Sequence, residues 1–224
     1  MYEDSKYTLE ARSGSQIRYE YFSECGPRSC NEDYVAFDKE KSIFVLCDGM
    51  GGHDGGAIAS KVIADTIVAT WHGDVSAACH EASAALNHCS QIDKIAEMGT
   101  TMAMASLQND KLVLAHCGDS RIYHIRGGRI KYQSVDHVAL TDIGNPIITR
   151  AFFTNSSRFT PDIHSTEIQS GDIIFMCSDG VYGNGKWSNL KDLLVSSKVD
   201  IKQIMEMASK DAFDNYSGIM ITVE

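Results

Sequence analysis

Four aspartates in this sequence stand where an apolar run meets glycine, serine or asparagine. Asp48 follows Phe44-Val45-Leu46-Cys47 and precedes Gly49-Met50-Gly51-Gly52-His53. Asp119 follows the run 112–118, Asp179 follows the run 173–178, and Asp214 precedes Asn215 and the closing run 219–223. Short apolar runs bounded by turn residues read as buried strands, so each carboxylate is expected at the rigid end of a strand. If those strands share a sheet, their ends converge on one edge and gather several carboxylates in a small volume. Carboxylates at close range repel one another, and such a cluster normally needs cations. Oxygen donors without an accompanying His/Cys set select Mg²⁺ or Mn²⁺ over zinc. One Asp-Gly pair is an ordinary turn; the fourfold recurrence, with Arg28 close to Glu32 and Asp33, is what points to a site.

The elements that must position these residues can be read from periodicity. Strands are expected over 17–22, 34–37 and 43–47, the last two joined by the charged turn 38–41. Helical spacing of Ile58, Ala59, Val62, Ile63 and Ile67 predicts a helix over 55–72. A second helix is expected over 74–96, capped by Asp74 or Ser76 and ended before Gly99. Strands follow at 100–107 and 111–117, the latter apolar enough to be buried on both faces. Gly127-Gly128 between 121–126 and 129–133 is a two-residue hairpin signal. The stretch 136–157 reads as irregular. Strands at 164–168 and 173–177, helices at 190–196 and 201–213, and a closing strand complete the chain. Helices thus come in pairs between groups of strands, which points to an α+β architecture with helix pairs on sheet faces.

The chain has 224 residues, 43% hydrophobic and 22% charged, enough apolar material for a sizeable core. Residues 1–16 read as a polar lead-in and 17–224 as one domain. A formal charge of −10 argues against nucleic acid and against an anionic membrane surface. The seven cysteines are odd in number, and no pair has C-x-x-C spacing. That favours free thiols in a reducing cytoplasm. No secretory leader and no membrane span is evident, and a cytoplasmic monomer is expected.

Several motifs occur in a fixed order: Arg28-x-x-Asn31-Glu32-Asp33; Asp48-Gly49-Met50-Gly51-Gly52-His53 with Gly56 and Ala59-Ser60; Gly99-Thr100-Thr101; Gly118-Asp119-Ser120-Arg121-Ile122-Tyr123 with Arg126 and Gly128; Asp136-His137; Ser178-Asp179-Gly180; and Asp214-Asn215. This ordered set resembles the bacterial-type members of the PP2C-like (PPM) metal-dependent protein phosphatases, over about residues 17–224. The resemblance implies a four-layer α-β-β-α sandwich of two antiparallel sheets flanked by helix pairs. It implies hydrolysis of phosphoserine and phosphothreonine in proteins by a water bridged between two Mn²⁺ or Mg²⁺ ions. By motif, Asp48 matches the ligand shared by both metals and Gly49 a ligand through its carbonyl. Asp179 and Asp214 match ligands of the other metal, and Asp119 that of a third, weaker one. Glu32 and Asp33 match acids that steer water beside the metals, and Arg28 matches the arginine that grips the substrate phosphate.

The implied partners are phosphorylated proteins and a cognate Ser/Thr kinase. Two alternatives stay open: a phosphatase-like regulatory binding module of little turnover, and a phosphatase of anti-sigma-antagonist stress regulators. Cys47 and Cys177, although next to expected ligands, read as buried strand residues. His53 reads as a polar cap on the glycine loop, and His116 and His124 as hydrogen-bonded strand residues. Met50 stands where some members carry a histidine acid, leaving the general acid unassigned. The family's flap is shortened to about 138–149, and Phe152-Phe153 replaces the usual Leu-Gly. Weaker third-metal binding and an altered substrate range are expected from that.

Overall fold

The computed structural model describes residues 7–10, 16–50, 55–108, 110–141, 146–156, 159–196 and 198–224. The chain opens with strands β1 (Tyr7–Glu10), β2 (Gln16–Glu24), β3 (Asp33–Asp38) and β4 (Ile43–Met50), then helices α1 (Gly55–Thr70) and α2 (Val75–Asp93). Strands β5 (Gly99–Thr100), β6 (Met102–Gln108), β7 (Lys111–Cys117), β8 (Arg121–Arg126) and β9 (Arg129–Gln133) follow. Next come β10 (Val138–Leu140), β11 (Pro146–Ile148), β12 (Phe152–Phe153), β13 (Asp162–Glu167) and β14 (Ile173–Cys177). Helices α3 (Asp179–Tyr182), α4 (Trp187–Leu194) and α5 (Ile201–Ser209) lead to β15 (Tyr216–Val223).

Two antiparallel sheets result. One has the order β1-β2-β15-β14-β8-β9; the other runs β12-β5-β4-β6-β7-β13, with β3 on β4. Period-two alternation in β4 sends Phe44 and Leu46 between the sheets and Ile43, Val45 and Cys47 toward α1 and α2. In β14, Ile174 and Met176 join the inter-sheet core while Phe175 and Cys177 meet α4 and α5. Each central strand is therefore buried on both faces, which is why it reads as an unbroken apolar run. The four layers are helix pair, sheet, sheet, helix pair.

Gly127 and Gly128 have φ of 58° and 67°, the left-handed pair that the β8–β9 hairpin requires. Asp74 caps α2, its carboxylate accepting from the Ala77 amide at 3.0 Å. Two expectations need amendment. The lead-in contains β1, which pairs along β2 from Tyr7↔Tyr19 to Glu10↔Gln16; its polar composition hid an edge strand. The stretch 136–157 is not irregular throughout: β10 and β11 form a hairpin and β12 pairs with β5. The Phe152-Phe153 departure is accommodated there. Phe152 is buried in the helix-side core, and bare Gly99 leaves room for the Phe153 ring, which a Cβ at that position would strike at 2.5 Å. The loop Gly51-Gly52-His53, residues 142–145 of the shortened flap and most of the lead-in lie outside the described residues.

Phe44 is fully buried between the sheets, with its ring centroid 5.2 Å from that of Tyr19. Phe44→Ala is expected to cost about 3–5 kcal/mol, read from urea unfolding. A loss below about 1 kcal/mol would contradict tight inter-sheet packing there.

Candidate metal centre

Arg28, Glu32, Asp48, Gly49, Asp119, Asp179 and Asp214 all line one cleft of about 240 Å³, together with Met50, Thr101, Ile148 and Asn215. The carboxylates do not come from one sheet edge, as the apolar runs alone suggested. Asp48 lies in β4 and Asp119 after β7, in one sheet; Asp179 follows β14 and Asp214 precedes β15, in the other. The cleft is the shared end of the sandwich. Asp48 continues the parity of Phe44 and Leu46, so its side chain is directed toward the second sheet.

Backbone contacts hold this arrangement rigid. Asp48 donates its amide to Thr101 Oγ1 at 3.0 Å, and its carbonyl accepts from the Thr101 amide and Thr100 Oγ1, each at 2.9 Å. The Gly49 amide donates to the Glu32 carbonyl at 3.1 Å. A Cβ on Gly49 would lie 2.2 Å from the Gly56 carbonyl oxygen, so no other residue fits without moving α1. Gly180 is equally constrained, 2.0 Å being all that separates its hypothetical Cβ from the Asn215 carbonyl oxygen. Asn215 accepts from the Glu32 amide at 2.9 Å and donates to the Cys25 and Cys30 carbonyls at 2.7 and 2.9 Å. It thereby closes the loop that carries Arg28. Asp33 does not line the cleft. It opposes Asp48 across the β3–β4 pair and accepts from Ser178 Oγ at 2.7 Å.

The electrostatics are those of an overcrowded anionic site. Burial, then repulsion from Asp33, Asp179, Asp119 and Asp214, pushes the Asp48 carboxyl well above the carboxylate range. Burial chiefly raises Asp33 and Asp119 to about 6, and Asp179 to about 7 with help from Asp119 and Asp214. Arg28 is the one cation on the cleft wall among the described residues, its Nη2 2.6 Å from Asp214 Oδ2. Asp33 Oδ1 is buried without a hydrogen-bond partner among the described residues. One guanidinium cannot compensate five carboxylates, and the donor set is all oxygen. These residues fit hard divalent cations.

One contributor had no signal in the sequence reading, and another, Arg121, stood there only as a motif letter. Tyr182, on the short α3, donates its hydroxyl to the Asp119 carbonyl at 2.8 Å. Arg121, bidentate to Asp136 at 2.9 and 2.7 Å, stacks over the Tyr182 ring at 3.5 Å. Only the pairing of β8, α3 and the 119–121 turn in space reveals them. Asn215 and Thr101 were visible as motif letters, without their clamping roles.

A family model described as protein phosphatase 2C matches residues 26–215. The protein phosphatase PhpP of Streptococcus pneumoniae is 27% identical over 198 residues, covering 75% of this chain and 80% of its own length. The structure of the Mycobacterium tuberculosis serine/threonine phosphatase PstP/Ppp superposes with a TM-score of 0.81 at 25% identity, covering 93% of this chain and 99% of that one. A PstP catalytic domain in complex with two manganese ions gives 0.78 at 26% identity, covering 92% and 98%.

The raised carboxyls make a signed prediction for metal-free protein. Their folded pKa values, about 6 to 7, exceed the ordinary 3.8, so the folded state holds protons that the unfolded state has released. The cluster's contribution to stability is full at low pH and is lost as pH rises from about 4 through about 7. In chelator, wild type relative to Asp179→Asn should lose stability between about pH 5 and pH 7.5 in urea titrations. A relative gain over that interval would contradict the crowding of charge.

Proposed function

The chain belongs to the protein phosphatase 2C family, and we propose that the carboxylate cleft is where it hydrolyses phosphoserine and phosphothreonine in proteins. One observation carries the assignment to this site: four aspartates from two sheets meet in a single cleft with an arginine at its rim. In the proposed roles, Asp48 would be a ligand common to two Mn²⁺ or Mg²⁺ ions, and Gly49 would contribute its carbonyl to one of them. Asp179 and Asp214 hold the other. Asp119 serves a third, weaker site. When bound, such ions supply Lewis acidity and offset charge on water and the phosphoryl oxygens.

The chain's own groups do the rest. Arg28 has an exposed side chain paired with Asp214. Swinging away from that partner, it presents a planar fork to the phosphate and holds it in line with the cleft. Glu32 and Asp33 orient water through hydrogen bonds; Asp33 is itself fixed by Ser178, whose hydroxyl also accepts from the Ser217 amide at 3.0 Å. Met50 and Ile148 form the apolar part of the wall and restrict how the phosphorylated side chain enters. No histidine lines the cleft among the described residues.

We read 17–224 as one phosphatase domain acting as a monomer in the cytoplasm, in signalling, and opposing a Ser/Thr kinase. Support comes from the seven free cysteines and from relatives named as serine/threonine phosphatases. No helix among the described residues is long and apolar enough to cross a membrane. The short β10–β11 hairpin supports a more open cleft, weaker third-metal binding and a substrate range different from longer-flapped relatives.

With Mn²⁺, wild type is expected to hydrolyse p-nitrophenyl phosphate and a phosphothreonine peptide. Asp179→Asn should lose at least about a hundredfold in rate while remaining folded, in the range for loss of a key electrostatic group. Arg28→Ala should act mainly on KM for the peptide. Activity that survives chelator would sink the assignment.

A further inference from the structure

His116, His137 and Asp162 bring three ligand-type atoms within 4.8 Å of one another, away from the aspartate cleft. The arrangement invites a cation, but its hydrogen bonds tell against one. His137 Nδ1 accepts from the Gly118 amide at 3.1 Å, which leaves Nε2 as the protonated nitrogen, 3.2 Å from Asp162 Oδ2. Asp162 Oδ1 is already taken by Arg150 Nη1 at 2.7 Å. His116 donates from Nε2 to the Val135 carbonyl at 2.9 Å and stacks on His137, ring centroids 4.4 Å apart. His116 Nδ1 is buried without a partner among the described residues, but His137, Asp162 and Arg150 are committed to one another and to Gly118, and those residues form a chain of hydrogen bonds with a direction.

That chain ends on the residue before Asp119. His137 holds both backbone polar groups of Gly118: its Nδ1 takes the amide, and its own amide donates to the Gly118 carbonyl at 2.9 Å. Gly118 has φ of +117° and lies so close to Thr101 that a Cβ would meet Thr101 Cγ2 at 2.6 Å. The 118–120 turn is therefore pressed onto the threonine that binds the Asp48 backbone, and Ser120 Oγ lies 2.7 Å from Thr101 Oγ1. At its other end His137 immediately precedes β10. Its carbonyl accepts from the Thr149 amide at 2.8 Å and Thr149 Oγ1 at 3.1 Å, just after β11. His137 is only 4% exposed and joins the base of the hairpin to the 118–120 turn.

We infer that His137, oriented by Asp162 and Arg150, is the positioning residue that fixes the Gly118–Asp119 turn so that the Asp119 carboxylate can take a divalent cation. The inference rests on the proposed role of Asp119. His137 touches neither substrate nor cation in this account; it acts through the Gly118 backbone. Partners that orient metal ligands commonly change metal affinity by about 10–100-fold when removed.

The two nitrogens can be separated by substitution. An Asn side chain places an acceptor near the position of Nδ1, and a Gln side chain reaches that of Nε2. Calorimetric titration of the full chain with Mn²⁺ alone, alongside thermal unfolding in chelator, reads affinity apart from stability. His137→Gln is expected to weaken the Asp119-dependent binding about 10–100-fold, and His137→Asn to recover most of it, even where the two unfold at similar temperatures. In an Asp119→Ala background neither change should weaken Mn²⁺ binding further. Equal losses that track unfolding temperature, or losses that persist without Asp119, would overturn the inference while leaving the Asp119 assignment intact. Wild-type Mn²⁺ binding by Asp119→Ala alone would remove the Asp119 assignment, and the inference with it.

Discussion

Repulsion among the carboxylates at the end of the sandwich is the constraint on which the rest of this structure depends. Asp48, Asp119, Asp179 and Asp214 are brought together as partly buried side chains around one cleft, and one arginine is their only positive neighbour on the cleft wall among the described residues. Left to relax, such a group would spread apart or hold protons, which is what the raised carboxyls of Asp48 and Asp179 express. The fold prevents spreading. Three of the aspartates are fixed through their own backbone or that of a neighbour: Asp48 by Thr100 and Thr101, Asp119 by Tyr182, Asp179 through the Ser178–Ser217 exchange. Glycines at 49 and 180 let backbones approach more closely than any side chain would permit. Stability is thereby given up locally for a site whose electrostatics are completed by cations, a common bargain at functional sites.

That local cost is tolerable because the cores are large and continuous. The inter-sheet core joins the two halves of the cleft directly: Phe44 and Leu46 run up to Asp48 in one sheet, and Ile174 and Met176 run up to Ser178-Asp179 in the other. Relative movement of the sheets would separate the carboxylates and would also break this packing. The outer helix pairs seal the other faces, so the central strands cannot slip by one residue without moving buried side chains to the wrong layer. β15 carries a second duty, since it pairs with both β2 and β14. The stretch just before it holds Asp214 and Asn215 against the loop of Arg28, through an ion pair and two hydrogen bonds to Cys25 and Cys30. Segments far apart in sequence thus meet at the rim of the cleft.

What could be read from the sequence follows from the range of the interactions that define each feature. The central strands, the Gly127-Gly128 turn and the Asp74 cap are set by neighbours in sequence, and their boundaries emerged within a few residues. The aspartates were visible because a charge at the end of an apolar run is conspicuous. Their origin in two different sheets was not, since pairing of β4 with β6 and of β14 with β15 is a long-range choice that leaves no local mark. β1 escaped notice because an edge strand needs no apolar alternation, and the β10–β11 hairpin because three-residue strands carry too little periodicity. Tyr182 has ordinary surroundings in sequence and Arg121 was visible only as a motif letter; the role of each arises from what is stacked against it in space.

The seven cysteines bear on which phosphatase chemistry the chain can perform. Cysteine-dependent phosphoryl transfer needs a thiolate, which arises near positive charge, at helix N-termini or beside a general base. Cys47 and Cys177 stand next to the cleft aspartates in sequence, yet alternation turns both toward the helix layers. Both are fully buried, and burial pushes both thiols up, away from ionisation. The adjacent carboxylates push in the same direction. An attacking thiolate at either position would have to form in apolar surroundings, beside negative charge, and pointing away from the phosphate. The same crowding of carboxylates that makes the cleft a place for cations makes it hostile to a cysteine nucleophile. Neither Cys47 nor Cys177 is therefore placed to supply the nucleophile.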